Sequence, residues 1–507
     1  MRRPTRSSWV ATGAAVATLM VVGAAVFGSA TAGPHARPTY SAAAAIGGPA
    51  TTHAIWTRYE SPTNPYSGPT RDIQCDQGSR PETLQGKTPK ADYASGRAAK
   101  GYFCNARMIA HYGRTGGYRV ERYVDQAGHE CAYWDSTLLW PHNVPDQGPE
   151  GPGVYVMDMH HPAHPIHTDT LRTPAMQSPH ESLRLNVKRG LLVADMGYPS
   201  FNPGFVDVYS VKRDCRHPVL DSSTPMGVLG HEGGFAPDGK TFYVASLYGH
   251  TLAAVDLSNP KAPKLLWFST DYQPHGVSIS NDGNRLYMAE VAFNGSGFTG
   301  LTILDVSQIQ RRVANPTVRL VSRLTWPQLS TPQNATPFTL HGHKYLLETD
   351  EFGSGKHVGA ARIIDIQNER KPFVVSNMRL AVNKGGQTKD PGDDQPFQGY
   401  QGHYCSLPSR VDPHIVACSF IMSGLRIFDI RDPAHPREIA YFNKPLMPGA
   451  DPVYPVKAGA FAMAAPAYDE KTRDIWYTDG NSGFYVVRLT QAAGITKFAR
   501  VVVYPGN

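Results

Sequence analysis

A short apolar segment that occurs seven times is the feature that most constrains this fold. The copies are rich in β-branched and aromatic residues, most of them follow a glycine, and each is predicted to form a strand. The seven copies are GVYVMDM at 153, FVDVYSV at 205, LAAVDLS at 252, LTILDVS at 301, ARIIDIQ at 361, LRIFDIR at 425 and FYVVRLT at 484. A second apolar segment precedes most copies, after a turn such as PDGK at 237, whose Asp-Gly pair is a strong hairpin signal. The repeating unit is therefore a set of antiparallel strands joined by tight turns.

Seven such units, recurring at roughly 45–65 residues, predict an all-β chain that folds as a seven-bladed β-propeller of four-stranded antiparallel blades. A sandwich or a pair of barrels is the alternative, and the regular repetition of one unit disfavours it. We assign residues 101–507 to the propeller, and residues 33–100, rich in Pro, Gly and Ser, to an irregular, extended N-terminal arm. The sequence does not show which strands close the ring. The blades are expected to start near residues 101, 178, 229, 273, 331, 400 and 460.

Residues 1–32 are predicted to be a signal peptide. The cationic start MRRPTRSS is followed by the apolar run WVATGAAVATLMVVGAAVFG and by Ala30-Thr31-Ala32, which fits a small-residue cleavage site. A membrane anchor that is retained is the alternative, since the run is only just long enough to span a bilayer. Cleavage predicts an exported protein, secreted or associated with the cell wall, with no membrane span in the mature chain.

The charge balance and the motif content exclude several classes of function. The formal net charge is +7, and removal of Arg2, Arg3 and Arg6 with the leader leaves +4. Without a basic run, this charge does not predict nucleic-acid binding. The sequence contains no G-x-S-x-G, phosphate-loop, H-E-x-x-H or EF-hand signature. Neither a conventional hydrolase nor a nucleotide-binding protein is expected.

Six cysteines, an even number, all follow the predicted signal peptide and indicate disulfides in an oxidising compartment. Cys405 and Cys418 fall on adjacent antiparallel strands of one blade, so we expect them to be paired. Six cysteines allow fifteen connectivities. For the other four we expect Cys104–Cys131 within the first blade and Cys75–Cys215 between the arm and the second blade.

The tract HHPAHPIH at 160–167 has a composition typical of metal binding, but its register predicts a turn. Proline follows Asp158 by four and by seven residues, as it follows Asp256 and Asp429 in other copies of the repeat. Proline fixes φ and ends a strand ladder. We therefore interpret the tract as a polar surface turn between the third and fourth strands of a blade.

Two longer segments resemble a known repeat. GLRIFDIRDPAHPREIAYF at 424–442 and TLAAVDLSNPKAPKLLWF at 251–268 look like LVIVD repeats, and GLTILDVS at 300–307 matches in part. The resemblance covers most of residues 150–490. It implies a β-propeller that is exported and bacterial, and it implies little about molecular function.

Four histidines recur at one position of the repeat. Each precedes by fourteen residues the alanine that ends the apolar core of a second strand, which places it at the start of a first strand, beside the central channel. Four imidazoles at one channel mouth predict a site for copper, iron or zinc. Carotenoid oxygenases, which hold iron with four histidines on a propeller, are similar in arrangement only. The predicted ligands are His180, His231, His275 and His403.

The neighbours of these histidines leave two interpretations open. Glu181 and Glu232 directly follow two of the histidines, and carboxylates often support metal-bound imidazoles. Blades one, five and seven lack histidine at this position, with polar residues around Asn334 and small apolar residues around Ala464. The alternative is structural, because a histidine at a strand start can hydrogen-bond the neighbouring blade.

Two functions follow from these interpretations, and whether the chain is an enzyme stays open. The first is an exported propeller, a monomer that binds a protein, a glycan or a small molecule on one face. The second is a metal-dependent oxidase or lyase with a histidine-ligated metal at the mouth of the central channel.

Overall fold

Seven antiparallel sheets form a seven-bladed β-propeller, which confirms the fold predicted from the repeat. The computed structural model describes residues 58–60, 69–138, 149–198, 200, 202–292, 297–327, 329–351, 359–383, 399–446 and 459–500. The predicted signal peptide and the first part of the predicted arm lie outside the described residues. Among the described residues, no helix is both long enough and apolar enough to cross a membrane.

Each blade has four strands, numbered here from the channel outward. The innermost strands are Val120–Val124, Arg184–Asn186, Glu232–Phe235, Pro274–Ile279, Pro332–Leu340, Gly402–Ser406 and Ala467–Asp469. The second strands are Glu130–Asp135, Leu191–Asp195, Thr241–Ser246, Arg285–Glu290, His343–Asp350, Ile415–Phe420 and Asp474–Asp479. The third strands are Val154–Asp158, Phe205–Ser210, Thr251–Asp256, Gly300–Asp305, Ala361–Asp365, Gly424–Asp429 and Gly483–Leu489. The fourth strands are Ile166–Leu171, Val219–Pro225, Lys264–Ser269, Arg319–Thr325, Phe373–Met378, Arg437–Asn443 and Ala106–Tyr112.

The ring closes through an N-terminal strand. Ala106–Tyr112 is the fourth strand of blade 7, antiparallel to Gly483–Leu489, so the last blade combines both parts of the chain. Tyr102–Cys104 adds a fifth strand to blade 6, and Arg58–Glu60 adds a parallel fifth strand to blade 4. Blade 1 therefore begins at Val120 and not near residue 101 as the repeat predicted. The pattern of apolar residues shows a strand but not its partner, which is why the sequence did not assign these segments.

A β-bulge interrupts the pairing between the third and fourth strands in every blade. In blade 3, for example, the register shifts between Ala254 and Val255, and in blade 6 between Ile427 and Phe428. A bulge increases the local right-handed twist of a strand pair. Because it recurs at one position, it is part of the repeat, and it twists each outer strand pair in the same way.

The apolar core lies between adjacent blades. Residues of the second and third strands alternate between the two faces of each sheet, and both faces are buried because a neighbouring blade covers each of them. One cluster joins Tyr243 and Ala254 of blade 3 to Leu286 and Met288 of blade 4. This packing fixes the angle between blades and so the position of every innermost strand.

The segment between residue 69 and the first propeller strand packs against blades 5 and 6. It contains the short helix Lys90–Ala94 and the 3₁₀ turn Ala98–Lys100. The buried Arg426 guanidinium of blade 6 donates a hydrogen bond of 3.1 Å to the Glu82 carboxylate. Gln85 donates another, of 2.6 Å, to Glu438. The other short helices are Pro174–Gln177 and Ser307–Gln310, and the other 3₁₀ turns are Ala381–Asn383, Ile421–Ser423 and Gln491–Ala493.

Three disulfides link the six cysteines. Cys405 is paired with Cys418 across the first two strands of blade 6, as the sequence predicted. The two other expected pairs are wrong, because Cys75 is bonded to Cys104 and Cys131 to Cys215. The error has the same source as the misplaced first blade, since Cys104 lies on the outer strand of blade 6 and not in blade 1. Disulfides of this number are typical of proteins that fold in an oxidising compartment.

Candidate metal centre

One residue from each blade lies where the innermost strand begins. The parallel bridges Glu181–Glu232 and Arg119–Ala465 align the residues that follow this position in neighbouring blades. Four of the seven residues are the predicted histidines, and Ala464 occupies the position in blade 7 as expected. In blade 5 the position is held by Gln333, next to the expected Asn334, and in blade 1 by Tyr118, which the repeat did not reveal. In blade order the residues are Tyr118, His180, His231, His275, Gln333, His403 and Ala464.

The four imidazoles converge on the carboxylate of Glu181. Its oxygens lie 3.8 Å from Nδ1 of His180, 3.3 Å from Nε2 of His231, 3.9 Å from Nε2 of His275 and 3.3 Å from Nε2 of His403. All five side chains are buried. The structure therefore brings together all four histidines that the sequence selected. They surround the Glu181 carboxylate, whose expected role was to support a metal-bound imidazole.

These separations are longer than hydrogen bonds and suit a cation held between the groups. An N–H···O hydrogen bond has its mode near 2.9–3.0 Å. Two ligand atoms about 2.1 Å from one cation lie about 3 Å apart at a right angle and about 4.2 Å apart when opposite. Nδ1 of His180, Nε2 of His231 and Nε2 of His403 are buried without a hydrogen-bond partner. Ligand atoms of His180, Glu181 and His231 all lie within 4.8 Å of one another, so these three side chains are the part of the centre that fits a bound metal ion.

Two of the imidazoles are fixed by the neighbouring blade. Nδ1 of His275 donates to the Pro332 carbonyl at 2.7 Å, and Nδ1 of His403 donates to the Met463 carbonyl at 2.6 Å. This is the inter-blade contact that the structural interpretation expected. It also turns Nε2 of each ring towards the carboxylates, where this nitrogen carries a proton when the ring is charged and offers a lone pair to a metal ion when the ring is neutral.

The backbone at Gly197 packs closely against both His180 and His231. His180 has φ of 52°, in the left-handed region that residues other than glycine seldom adopt. Gly197 lies against it, and a Cβ at residue 197 would meet His180 Cβ at 2.6 Å and the His231 carbonyl at 2.8 Å. Only glycine leaves room for both histidines here. Backbone strain of this kind concentrates at functional sites.

Glu181 is held in place from the far side of the channel. Tyr404 of blade 6 donates a hydrogen bond of 3.1 Å to Oε2 of Glu181. Gln333 of blade 5 donates to the same oxygen and, at 2.9 Å, to the Tyr404 hydroxyl. The Glu181 carboxylate thus spans the channel from blade 2 and is oriented by two other blades.

Glu232 differs from Glu181, although both follow a histidine. It accepts hydrogen bonds from Arg119 at 2.6 Å, from Asn334 at 2.7 Å and from Arg184. Its other oxygen accepts from the Val277 amide at 2.7 Å. The expectation that Glu232 supports an imidazole is therefore wrong, because this carboxylate is saturated by cationic and amide donors.

A second carboxylate reaches the histidines from blade 5. Glu351 follows the second strand of that blade, and its oxygens lie 3.7 Å from Nε2 of His275 and 3.4 Å from Nε2 of His403. Glu290 and Glu348 also lie in the last part of a second strand, in blades 4 and 5. Glu290 binds Thr302 and Arg323, and Glu348 pairs with Arg362, so among these three only Glu351 faces the histidines.

Burial and charge set the protonation of the cluster. Burial lowers the pKa of His180 well below its ordinary value, and it also lowers the pKa of His275. Burial alone would lower the pKa of His403, but its contacts with Glu181 and Glu351 raise it to about 9. Burial alone would raise the pKa of Glu181, yet the imidazoles around it hold that pKa well below its ordinary value.

Tyrosines line the blade 1 to blade 3 side of this centre. Tyr118 stacks on His180, with ring centroids 4.2 Å apart. Tyr198 and Tyr248 approach His180 and His231 edge-on, at 5.6 and 5.7 Å. Tyr248 is 65% exposed, so the ring that lies against His231 reaches the protein surface.

No protein-family model matches this chain, and no curated protein is significantly similar to it in sequence. Among solved structures, the periplasmic gluconolactonase of Pseudomonas aeruginosa is 13% identical, with a TM-score of 0.43 over 78% of this chain and 99% of that chain. Hydrazine synthase of Kuenenia stuttgartiensis is 12% identical, with a TM-score of 0.45 over 75% of this chain and 97% of that chain. These likenesses concern shape alone and assign no activity to this chain. The resemblance to LVIVD repeats stays a prediction.

Other histidine groups have ordinary structural roles. The HHPAHPIH tract forms the turn between the third and fourth strands of blade 1, as predicted, with His160 and His161 on its surface. Asp125 and His129 lie beside Asp214, but Asp125 accepts hydrogen bonds from the His129 ring and from the amide of Cys215. That cluster anchors the end of the Cys131–Cys215 disulfide. His343, at a hairpin tip, pairs with Asp365.

Proposed function

We propose that this protein is a metalloprotein that binds a transition-metal ion among His180, Glu181, His231, His275 and His403. The observation that carries the proposal is the position of the Glu181 carboxylate. It lies within 4 Å of all four imidazoles, with separations that suit two ligands of one cation. Orphaned, buried nitrogens facing a buried carboxylate are costly unless a cation or a proton satisfies them.

The donor set limits the choice of metal. Imidazole suits copper, iron and zinc, whereas magnesium and calcium prefer sites made of oxygen ligands alone. We therefore propose copper, iron or zinc. When bound, such an ion supplies Lewis acidity, and copper or iron also supplies redox chemistry.

We further propose that the chain is a metal-dependent oxidase or lyase that acts on a small molecule at the channel mouth. Tyr198 and Tyr248 offer apolar ring surface beside His180 and His231, and Tyr248 is exposed to solvent. Aromatic walls with a few convergent polar groups are typical of small-molecule sites. In this proposal Tyr198 and Tyr248 bind and orient the substrate, while Glu181 and the imidazoles hold the metal ion.

We also propose that the protein is exported and that it is an LVIVD-repeat propeller. Three disulfides support folding outside the cytoplasm. The LVIVD-like sequences of blades 3 and 6 each span a third strand, the turn after it and the fourth strand that pairs with it. An exported propeller that only binds a protein or a glycan is the alternative, and it predicts a centre without metal.

The test is the metal content of the exported protein. We expect copper, iron or zinc in stoichiometric amount, either after purification or after reconstitution, and its loss in the double variant His231→Ala/His275→Ala. The matched control is His160→Ala/His161→Ala, which removes two surface imidazoles and should retain the metal. Circular dichroism and thermal unfolding check the fold of both variants. A folded wild-type protein that takes up none of the three metals overturns the proposal and favours the binding protein.

A further inference from the structure

We infer that the N-terminal segment, residues 69–100, is a pH-sensitive strap whose contact with blade 6 depends on the uptake of one proton. The proton would be held by the carboxylates of Glu82, in the segment, and Glu438, in the fourth strand of blade 6. The inference goes beyond the proposed function, because the hydrogen bonds and ion pairs of these two carboxylates join residues outside the histidine centre.

Two carboxylates share one guanidinium at this contact. Nη1 of Arg426 donates a hydrogen bond of 3.1 Å to Glu82 and another of 3.1 Å to Glu438, and Nη2 donates a third to Glu82. The side chains of Arg426 and Glu438 are completely buried, and that of Glu82 is 2% exposed. With both acids ionised, the cluster would carry one excess negative charge away from solvent, which is unfavourable in a protein interior.

The other donors to the two carboxylates are neutral. Gln85 donates a hydrogen bond of 2.6 Å to Glu438, and the Gly86 amide donates one of 2.7 Å to Glu82. Among the described residues, Arg426 is the one cation that forms an ion pair with either acid. Hydrogen bonds stabilise a carboxylate but do not cancel its charge, so the excess charge of the cluster remains.

A proton removes the excess charge. When two carboxylates share a site, one of them keeps its proton to a higher pH. Burial raises the pKa of Glu438 to about 7, Arg426 opposes this effect, and Asp72 and Glu82 add to it. Burial also raises the pKa of Glu82. The ring of Tyr441 lies 4.5 Å from the Arg426 guanidinium, and burial raises the pKa of its phenol, which therefore stays neutral.

The raised pKa sets the direction of the pH effect. Between the ordinary glutamate pKa of 4.5 and about pH 7, the docked cluster binds one proton more than the released segment does. The stability that this proton supplies is complete below the ordinary pKa and is lost as the pH rises through about 7. The strap is therefore held tightly in mildly acidic solution and is loosened above neutral pH.

The strap reaches the histidine side of blade 6. The Gly86 carbonyl accepts a hydrogen bond of 2.7 Å from Ser423, in the 3₁₀ turn that directly follows the second strand of blade 6. In blade 5 the residue after the second strand is Glu351, which faces the histidines. Release of the strap would uncover blade 6 at the end of the propeller that carries the histidines.

Hydrogen exchange in the full exported chain tests the strap. Exchange over residues 79–88 is measured by mass spectrometry at pH 5.5 and 7.5, with correction for the intrinsic pH dependence of exchange. Residues 69–104 contain no histidine, so ordinary side chains of this segment keep their charge between these two pH values. In the wild type we expect about twentyfold less protection at pH 7.5, from one proton with a pKa of about 7 in place of 4.5.

Two variants complete the experiment. Glu438→Gln removes the titrating carboxyl group and should give the same protection at both pH values. Glu369→Gln, which changes a partly buried glutamate paired with Arg285, is the control and should keep the wild-type difference. If Glu438→Gln does not fold, Glu82→Gln takes its place, with the same expected result. Equal protection of the wild type at the two pH values overturns the strap, and so does a folded Glu438 or Glu82 variant that keeps the wild-type difference.

Discussion

Arg119 of blade 1 donates a hydrogen bond of 2.6 Å to the Glu232 carboxylate of blade 3 across the central channel. Both side chains are almost completely buried, and each residue directly follows the ring position that carries Tyr118 in blade 1 and His231 in blade 3. Breaking a buried ion pair by removing one partner leaves an uncompensated charge in the interior. The pair therefore links blades 1 and 3, on either side of blade 2, next to the candidate metal centre.

We predict that Arg119→Met lowers the free energy of unfolding by about 3 kcal/mol, because Glu232 loses one of its two cationic partners in a site without solvent. Denaturant titration measures the change. The control is Arg431→Met, which removes a half-exposed arginine paired with Asp429 and should cost at most about 1 kcal/mol. Equal losses in the two variants would contradict a special role for the channel pair.

Tyr404→Phe should weaken metal binding by about 10–100-fold without loss of the fold, because it removes the hydroxyl that orients Glu181 and binds Gln333. Competition with a chelator of known affinity gives the ratio of the two dissociation constants. Tyr468→Phe is the control, since its buried hydroxyl accepts from the Ala417 amide in blade 6 and does not contact the histidines. A Tyr404→Phe protein with wild-type affinity would show that Glu181 needs no such support.

The Cys131–Cys215 disulfide should contribute more stability than the Cys405–Cys418 disulfide. It closes a chain segment of 84 residues, against 13 for the other. Loop-closure entropy gives about 4.5 kcal/mol for the longer segment and about 3 kcal/mol for the shorter one. Denaturation of the two double Cys→Ala variants tests the order, and the reverse order would show that native packing outweighs chain entropy.

Glu82→Ala should loosen the N-terminal segment from blade 6. Arg426 and the Gly86 amide both lose an acceptor, and the buried guanidinium keeps only one carboxylate partner, Glu438, besides the Ser423 carbonyl. Hydrogen exchange over residues 79–88 should become at least about tenfold faster, which corresponds to about 1.4 kcal/mol of local stability. Asp432→Ala, which removes an exposed partner of His435, should leave that exchange unchanged.

Local signals in the sequence determined the blades and the ring of histidines. Strand periodicity, Asp-Gly turns and proline spacing act within a few residues, so the repeat could be aligned and His180, His231, His275 and His403 could be placed at one position. The same alignment showed that HHPAHPIH is a turn, and it placed Cys405 opposite Cys418.

Only the tertiary structure decided what depends on contacts between distant parts of the chain. Ala106–Tyr112 completes blade 7, and Cys104 accordingly pairs with Cys75, because strand partners are selected across the whole ring. Glu181 and Glu232 occupy the same position in the repeat, yet one faces four imidazoles and the other two arginines. Their surroundings come from side chains of other blades, whose direction and reach no local pattern encodes. For the same reason no local pattern in the sequence places the Glu351 carboxylate, which follows the second strand of blade 5, beside His275 and His403.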